Sequence, residues 1–419
     1  MTLTLYTLTS DLHSGLTKSA AQEPFIKDIE AALGCGFDCR NGDFSTFGMQ
    51  DRDDFIYVRT GGTEGIFKSI FCASGKPEIP GGRPVRLLTS GQSNSLAASM
   101  EILSYLRMNG IPGEILHGSA EEIAARIKAG FASAEVGCSE VYGFAPNPSL
   151  LEGTRLGVVG KPSDWLISSD VDYALAKERI GVEIIDISMD ELKEEIAKGG
   201  WTLPFDINEL NEPKYGLKMD AEDFEGALKV YGALRRLVGK YSLNGLTIRC
   251  FDLLTSVHNT GCLALAILNS EGIIGTCEGD VPAMMSMAIA NKLCGTPGFQ
   301  VNLSRIGERG SMLFAHCTVP FNIVDSYCYD THFESGIGVA VHGVFREGPM
   351  TIFKISPDCS RIIAKDVELT GNSYGNNLCR TQVIIKGSGL DNYLLHSPIG
   401  NHHILVPGHF TEVLKAGKK

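Results

Sequence analysis

Apolar and polar positions in the first two-thirds of the chain switch repeatedly between two periods. Short β-branched runs, Phe55–Arg59 (FIYVR), Val85–Thr89 (VRLLT) and Arg155–Val159 (RLGVV), each end in a glycine- or serine-rich turn. They pass into GGTEGIFKSIF, SGQSNSLAASMEILSYLRMNG and GKPSDWLISS, which read as turn and helix. Strand, turn and helix in repetition are the grammar of a parallel sheet. ELKEEIAKGG closes another helix, and DAEDFEGALKVYGALRRLVGKYSLNG is a long amphipathic one, acidic first and basic last as the helix dipole prefers. The N-terminal MTLTLYTLTSDL alternates like a strand.

The pattern changes near residue 300. From Met312 onward FESGIGVAVHGVF, PMTIFKIS, RIIAKDVELTG, RTQVIIKG and NHHILVPGH read as strands with turns, and no helix is expected before the last dozen or so residues. A softer boundary falls at NPSLLEGT, which separates two βα series. Three domains are expected: residues 1–153 and 154–300, both α/β, and 301–419, all-β.

Composition narrows the function. The chain of 419 residues is 43% hydrophobic and 21% charged, and its 48 glycines suit many βα and hairpin turns. A formal charge of −12 argues against nucleic acid or an anionic membrane surface as partner, since both select a positive footprint. No apolar run reaches the roughly 18–20 residues of a membrane span, and the N-terminus lacks the basic and apolar regions of a signal peptide. A cytoplasmic protein is expected. The 12 cysteines are scattered without a paired CxxC framework, which predicts free thiols.

Candidate chemistry concentrates late in the chain. In GTCEGDVPAMMSMAIANKLCGTPGFQVNL, Asp280 is placed to cap the helix that follows, with Pro282 in its first turn. Glu278 has no capping role and lies between a strand's carboxyl end and a helix start, where open α/β sheets place ligands. GNHHILVPGHF holds three of the chain's ten histidines; on a strand His402 and His403 face opposite sides, so only one can enter a given site. The turns RTGGTEG and SGQSNS present N–H groups at helix starts to an anion or sugar hydroxyls. GNSYG (371–375) fits the nucleophile-elbow pattern, but a strand and not a helix follows it; no βα turn carries GxGxxG, so no nicotinamide cofactor is expected.

TCEGD and LCGTPGFQVN, then HCTVP at His316–Pro320, CRTQ at Cys379–Gln382 and GNHHILVPGHF, occur in an order that resembles the L-fucose isomerase family. The likeness is closer to the fucose isomerase-related branch of the wider arabinose isomerase superfamily and extends from about Gly153 to the end. It implies two Rossmann-like α/β domains followed by a C-terminal β-barrel-like domain, in a homo-oligomer whose subunits share their sites. It also implies an aldose–ketose isomerase of carbohydrate metabolism that uses Mn²⁺ or a similar divalent cation, and a small-molecule sugar as partner. Glu278 matches the family's metal-binding glutamate, and His402, preceded by Asn401, matches its metal-binding histidine. The family's metal-binding aspartate corresponds to Asn302, whose neutral carbonyl removes one charge and one candidate general base. A divalent ion across two sugar oxygens stabilises the enediolate, and Glu278 is the carboxylate available to carry the proton between C1 and C2. His316 and Arg380 are candidates to contact substrate oxygens, Trp165 to stack on a sugar face, and His409 to support the metal ligands from behind. Asn302 keeps a second class open, a non-catalytic sugar-binding relative without the ion, and epimerisation or aldol cleavage would suit the same residues.

Overall fold

The computed structural model describes residues 2–10, 20–72, 75–131, 140–145, 147–205 and 221–417. The last two residues of the N-terminal strand reading, Asp11 and Leu12, lie outside them.

Strands β1 (Thr2–Leu8), β2 (Asp38–Asn41), β3 (Arg52–Val58), β4 (Val85–Thr89) and β5 (Gly113–Leu116) form one parallel sheet in the order β2-β1-β3-β4-β5. A short strand β6 (Val141–Gly143) follows. Strands β7 (Arg155–Val159), β8 (Glu183–Ile187), β9 (Gly245–Ile248) and β10 (Ile274–Thr276) form a second parallel sheet, ordered β10-β9-β7-β8. In each sheet the second strand lies outside the first while the third lies on its other side, so the strand order reverses beside the first strand. Doubly wound sheets bind ligands at such a switch point, outside the strands' carboxyl ends.

The remaining strands are β11 (Phe299–Ile306), β12 (Ser311–His316), β13 (Ser326–Asp330), β14 (Ala340–Val344), β15 (Gly348–Ile355), β16 (Arg361–Ser373), β17 (Thr381–Lys386) and β18 (His402–Pro407). Six of them run antiparallel in the order β15-β18-β11-β12-β17-β16, and β16 pairs back onto β15 to close a barrel. Closure removes the exposed edges of an antiparallel sheet. β6 adds to the outside of β16 at Arg361–Ile363, so a segment from the first third of the chain joins the last sheet. β13 and β14 form a separate hairpin.

The helix Val281–Cys294 packs between the second sheet and barrel strands β15 and β18, and nearly every face of it is buried. That accounts for its lack of a polar stripe and for its three fully enclosed methionines, Met284, Met285 and Met287. Two readings differ from the structure. GKPSDWLISS is irregular and the helix after β7 begins only at Tyr173; a short helix, Leu390–His396, interrupts the strands of the last third. Every cysteine among the described residues is a free thiol. No helix among them is long and apolar enough to cross a membrane.

Candidate active site

The carboxyl ends of both parallel sheets meet the mouth of the barrel in one pocket. The turn after β3 brings Glu64 and the turn after β4 brings Asn94; the loop after β7 brings Trp165, the loop after β9 Phe251, and the end of β10 Glu278. The barrel side supplies Asn302, His316 and Asn401, and the loop after β13 supplies His332 and Glu334. Both parallel sheets thus direct their carboxyl ends at one place, as their topology allows.

Glu278 holds a left-handed backbone with φ 65°, uncommon for a residue with a side chain. Gly279 follows at φ 71°, and a Cβ there would lie 2.5 Å from the Lys161 carbonyl oxygen, so this turn requires glycine. The Glu278 carbonyl accepts the Ser163 N–H at 3.0 Å, which ties the turn to the loop after β7. Its carboxylate accepts the Trp165 indole N–H at 2.5 Å and faces His402 Nε2 at 3.4 Å. Burial pushes this carboxyl up, but the charge and hydrogen bond of His402, with Trp165, prevail and hold it below the ordinary range.

His402 is fully buried, and its Nδ1 lies 2.9 Å from Asp280 Oδ2. Asp280 also caps the helix Val281–Cys294 by accepting the Ala283 N–H at 2.6 Å, and its Oδ2 meets Lys354 Nζ at 3.4 Å. One carboxylate therefore fixes a helix start and a histidine ring, the usual arrangement behind a ligating imidazole. Burial works against a charged His402, yet Glu278 and the Asp280 bond lift its pKa to about 9. His316 stacks edge-on to His402 at 5.5 Å, and burial with the nearby His402 charge lowers its pKa to about 4, leaving a neutral ring. His403 points the other way, as the strand period requires, and bonds the Tyr393 hydroxyl at 2.8 Å.

One ligand atom from each of Glu278, His316 and His402 lies within 4.8 Å of the others, so the three form a group able to hold a metal ion. Ligands sharing one ion at about 2.1 Å each stand some 3–4 Å apart, a distance that small side-chain rotations reach. Asn302 pairs directly across from His402 in the β11–β18 ladder, and its buried Oδ1 has no hydrogen-bond partner. His402 Nε2 faces only the Glu278 carboxylate, at the ion-pair distance of 3.4 Å. Buried polar atoms are normally satisfied, so the unpartnered Oδ1 of Asn302 suits a donor to a cation held by these groups.

Trp165, His316 and Asn401 all line the pocket. The indole N–H of Trp165 is spent on Glu278, and Asn401 Oδ1 accepts the His402 backbone N–H at 2.8 Å. Arg380 is not a lining residue. Its guanidinium bonds the Thr331 carbonyl at 2.7 Å and meets Asp330 at 3.3 Å, bracing the loop that carries His332 and Glu334. His409 pairs with Glu368 at 3.2 Å on the surface, where its side chain is 48% exposed, and does not reach the pocket.

Sequence reasoning missed Glu64, Asn94, His332 and Glu334. The first two sit in turns whose backbone alone had drawn notice; the last two lie in a loop with no periodic signal. It also missed Glu101, fully buried on the helix Ser95–Met108, which accepts the Ser168 N–H at 2.7 Å, the Ser169 hydroxyl at 3.1 Å and the Asn401 N–H at 3.1 Å. This single carboxylate joins elements from all three sheets behind the pocket.

The two histidines provide a test of register. His402→Ala should abolish metal uptake by the folded protein, measured by elemental analysis after dialysis against Mn²⁺. His403→Ala should keep the metal but lose about 2–4 kcal/mol of stability, since it opens a cavity and removes one of the hydrogen bonds of the buried Tyr393 hydroxyl. The reverse pattern would place the wrong histidine in the site.

No family model matches the chain. Among curated proteins it is similar to the sulfoquinovose isomerase of Alkalicoccus urumqiensis, 22% identical over 248 residues, which is 58% of this chain and 52% of that one. It is also similar to the sulfoquinovose isomerase of Priestia megaterium, 25% identical over 285 residues, 63% of this chain and 62% of that one. The chain thus spans about half to three-fifths of the length of these relatives.

Proposed function

We propose that the chain is an aldose–ketose isomerase of the L-fucose isomerase type, acting on a small sugar with a divalent cation, Mn²⁺ or similar. The observation that carries this is Glu278, at a parallel-sheet strand end, grouped with His316 and His402 beside the orphaned Oδ1 of Asn302. The similarity to sulfoquinovose isomerases supports the reaction class. Glu278, His316 and His402 would hold the ion, with Asn302 as a neutral fourth donor, and the ion would supply Lewis-acid polarisation of the sugar's adjacent oxygens.

The remaining work falls to the chain's own groups. Glu278 carries the proton between C1 and C2, and the Trp165 N–H fixes its carboxylate plane. Asp280 keeps the His402 ring turned so that Nε2 faces the pocket. Asn401, bonded to His402 and Glu101, holds the start of β18 in register. A screen of aldoses and ketoses with and without Mn²⁺, followed by NMR in D₂O, tests the reading. Deuterium at the exchanging carbon of an interconverted pair supports it, and binding without exchange favours a non-catalytic sugar-binding protein.

Asn302 is the departure that most affects the ion. Asn302→Asp adds a second carboxylate to the donor set and should tighten Mn²⁺ binding about tenfold or more, read by calorimetric titration. Unchanged affinity would mean that this side chain does not reach the ion.

A further inference from the structure

Five of the described cysteines line the pocket: Cys250, Cys262, Cys277, Cys317 and Cys379. Two of them touch. Cys250 Sγ lies 2.9 Å from Cys277 Sγ, and both residues are buried. The second sheet puts them there. β9 and β10 are parallel neighbours with Thr247 opposite Thr276; Cys277 is the first residue after β10, and Cys250 lies just beyond the end of β9. Neighbouring strands stand about 4.8 Å apart, inside the roughly 4.4–6.8 Å that separates the Cα atoms of disulfide-linked residues. Cys250 also borders a small cleft beside the pocket, shared with Phe251 and His332, so its side chain faces two spaces that a molecule the size of water can enter.

The pair has leverage on the site because Cys277 immediately precedes Glu278. A disulfide bond of about 2.05 Å requires the two sulfurs to close by about 0.9 Å. The turn that follows has no slack to absorb this, since Gly279 lies against the Lys161 carbonyl and tolerates no Cβ. A displaced Cys277 therefore carries Glu278 with it. Misplacing a reacting group by about 1 Å can cost about 10²-fold in rate.

We propose that Cys250 and Cys277 are a dithiol that hydrogen peroxide converts to a disulfide, and that this bond draws the Glu278 carboxylate away from the Trp165 N–H and from the other candidate metal donors. One sulfur attacks a peroxide oxygen and the O–O bond breaks. A sulfenic acid forms, and the departing hydroxide takes up that thiol's proton as water. The second sulfur then attacks the first, the S–S bond forms, the S–O bond breaks, and the released hydroxide takes up the second thiol's proton as water. The two electrons lost by the thiols reduce one peroxide to two waters.

The test uses the full chain, reduced, desalted and then treated with hydrogen peroxide. Peptide mapping without reduction should find the Cys250–Cys277 disulfide, and a dithiol reductant should remove it. In ¹⁵N-labelled protein the Trp165 indole N–H resonance, assigned by its loss in Trp165→Phe, should move on oxidation and return on reduction, because this proton is bonded to Glu278. Mn²⁺ affinity, read by calorimetry, should fall about tenfold or more. In Cys250→Ser, and independently in Cys277→Ser, peroxide should leave both readings at the values of that variant's reduced form. Thiols that stay free, disulfides mapped only among Cys262, Cys317 and Cys379, or two serine variants that respond as the parent does overturn the proposal. A Cys250–Cys277 bond that leaves the Trp165 resonance unmoved overturns the coupling to Glu278. The disulfide and the resonance are read without ion or substrate. Both can therefore hold while the reduced protein converts no aldose, an outcome that would sink the isomerase alone.

Discussion

Glu278→Gln should lower turnover by at least about a hundredfold and leave the protein folded, since a general acid–base group contributes roughly 10²–10⁴-fold. Glutamine preserves the shape of the side chain, and its oxygen can still accept the Trp165 N–H. Only the ability to carry a proton and the negative charge are lost. The charge matters twice, because Glu278 is both the acid–base group and the one carboxylate in the candidate metal group. Calorimetry of Mn²⁺ binding alongside initial rates separates the two: with saturating ion, the residual loss in rate belongs to proton transfer. Circular dichroism checks the fold. A variant that keeps more than about a tenth of the rate would remove Glu278 from the chemistry.

Glu278 was legible in the sequence for a physical reason. A carboxylate between a strand end and a capped helix has no capping duty, and the left-handed backbone with its obligatory Gly279 sets the direction of that side chain. The strands Val85–Thr89 and Arg155–Val159 were also legible, because fully buried parallel strands are continuous apolar runs. GKPSDWLISS misled because its polar backbone groups are satisfied across the molecule, Ser163 N–H by Glu278 and Ser168 N–H by Glu101, and not along a helix. Leu390–His396 has seven residues, barely two turns, too few for a period to show.

Glu64, Asn94, His332 and Glu334 illustrate the harder limit. Glu64 opens the helix Glu64–Phe71 and the other three lie in turns or loops, and nothing in the local pattern states which of these segments will face one another. The Asn94–Glu334 hydrogen bond joins residues 240 positions apart and follows from the docking of the first sheet's turn against the loop of the β13–β14 hairpin. Cys317, Cys262 and Cys379 gather at the same wall from three distant segments. Residue type marks such groups as capable of chemistry; only tertiary closure selects them.

Asp280→Ala should cost about 3–5 kcal/mol of stability, chiefly because it leaves the ammonium of Lys354 buried without its carboxylate. The pair is enclosed, Lys354 at 1% and Asp280 at 0% exposure, so water cannot replace the missing partner. Loss of the bond to the Ala283 N–H adds about 1 kcal/mol at the helix start. Adding Lys354→Met should restore most of the loss, since a buried ion pair replaced by apolar groups of similar volume is often neutral. Function separates from stability in the same set. Asp280→Ala frees the His402 ring and should weaken Mn²⁺ binding about 10- to 100-fold, whereas Lys354→Met alone, which leaves the Asp280–His402 bond in place, should hold the ion nearly as well. Urea denaturation of the two single variants and the double variant measures the coupling. Strictly additive losses would show that Lys354 does not depend on Asp280, and a metal affinity untouched by Asp280→Ala would show that His402 keeps its orientation through the barrel strand alone.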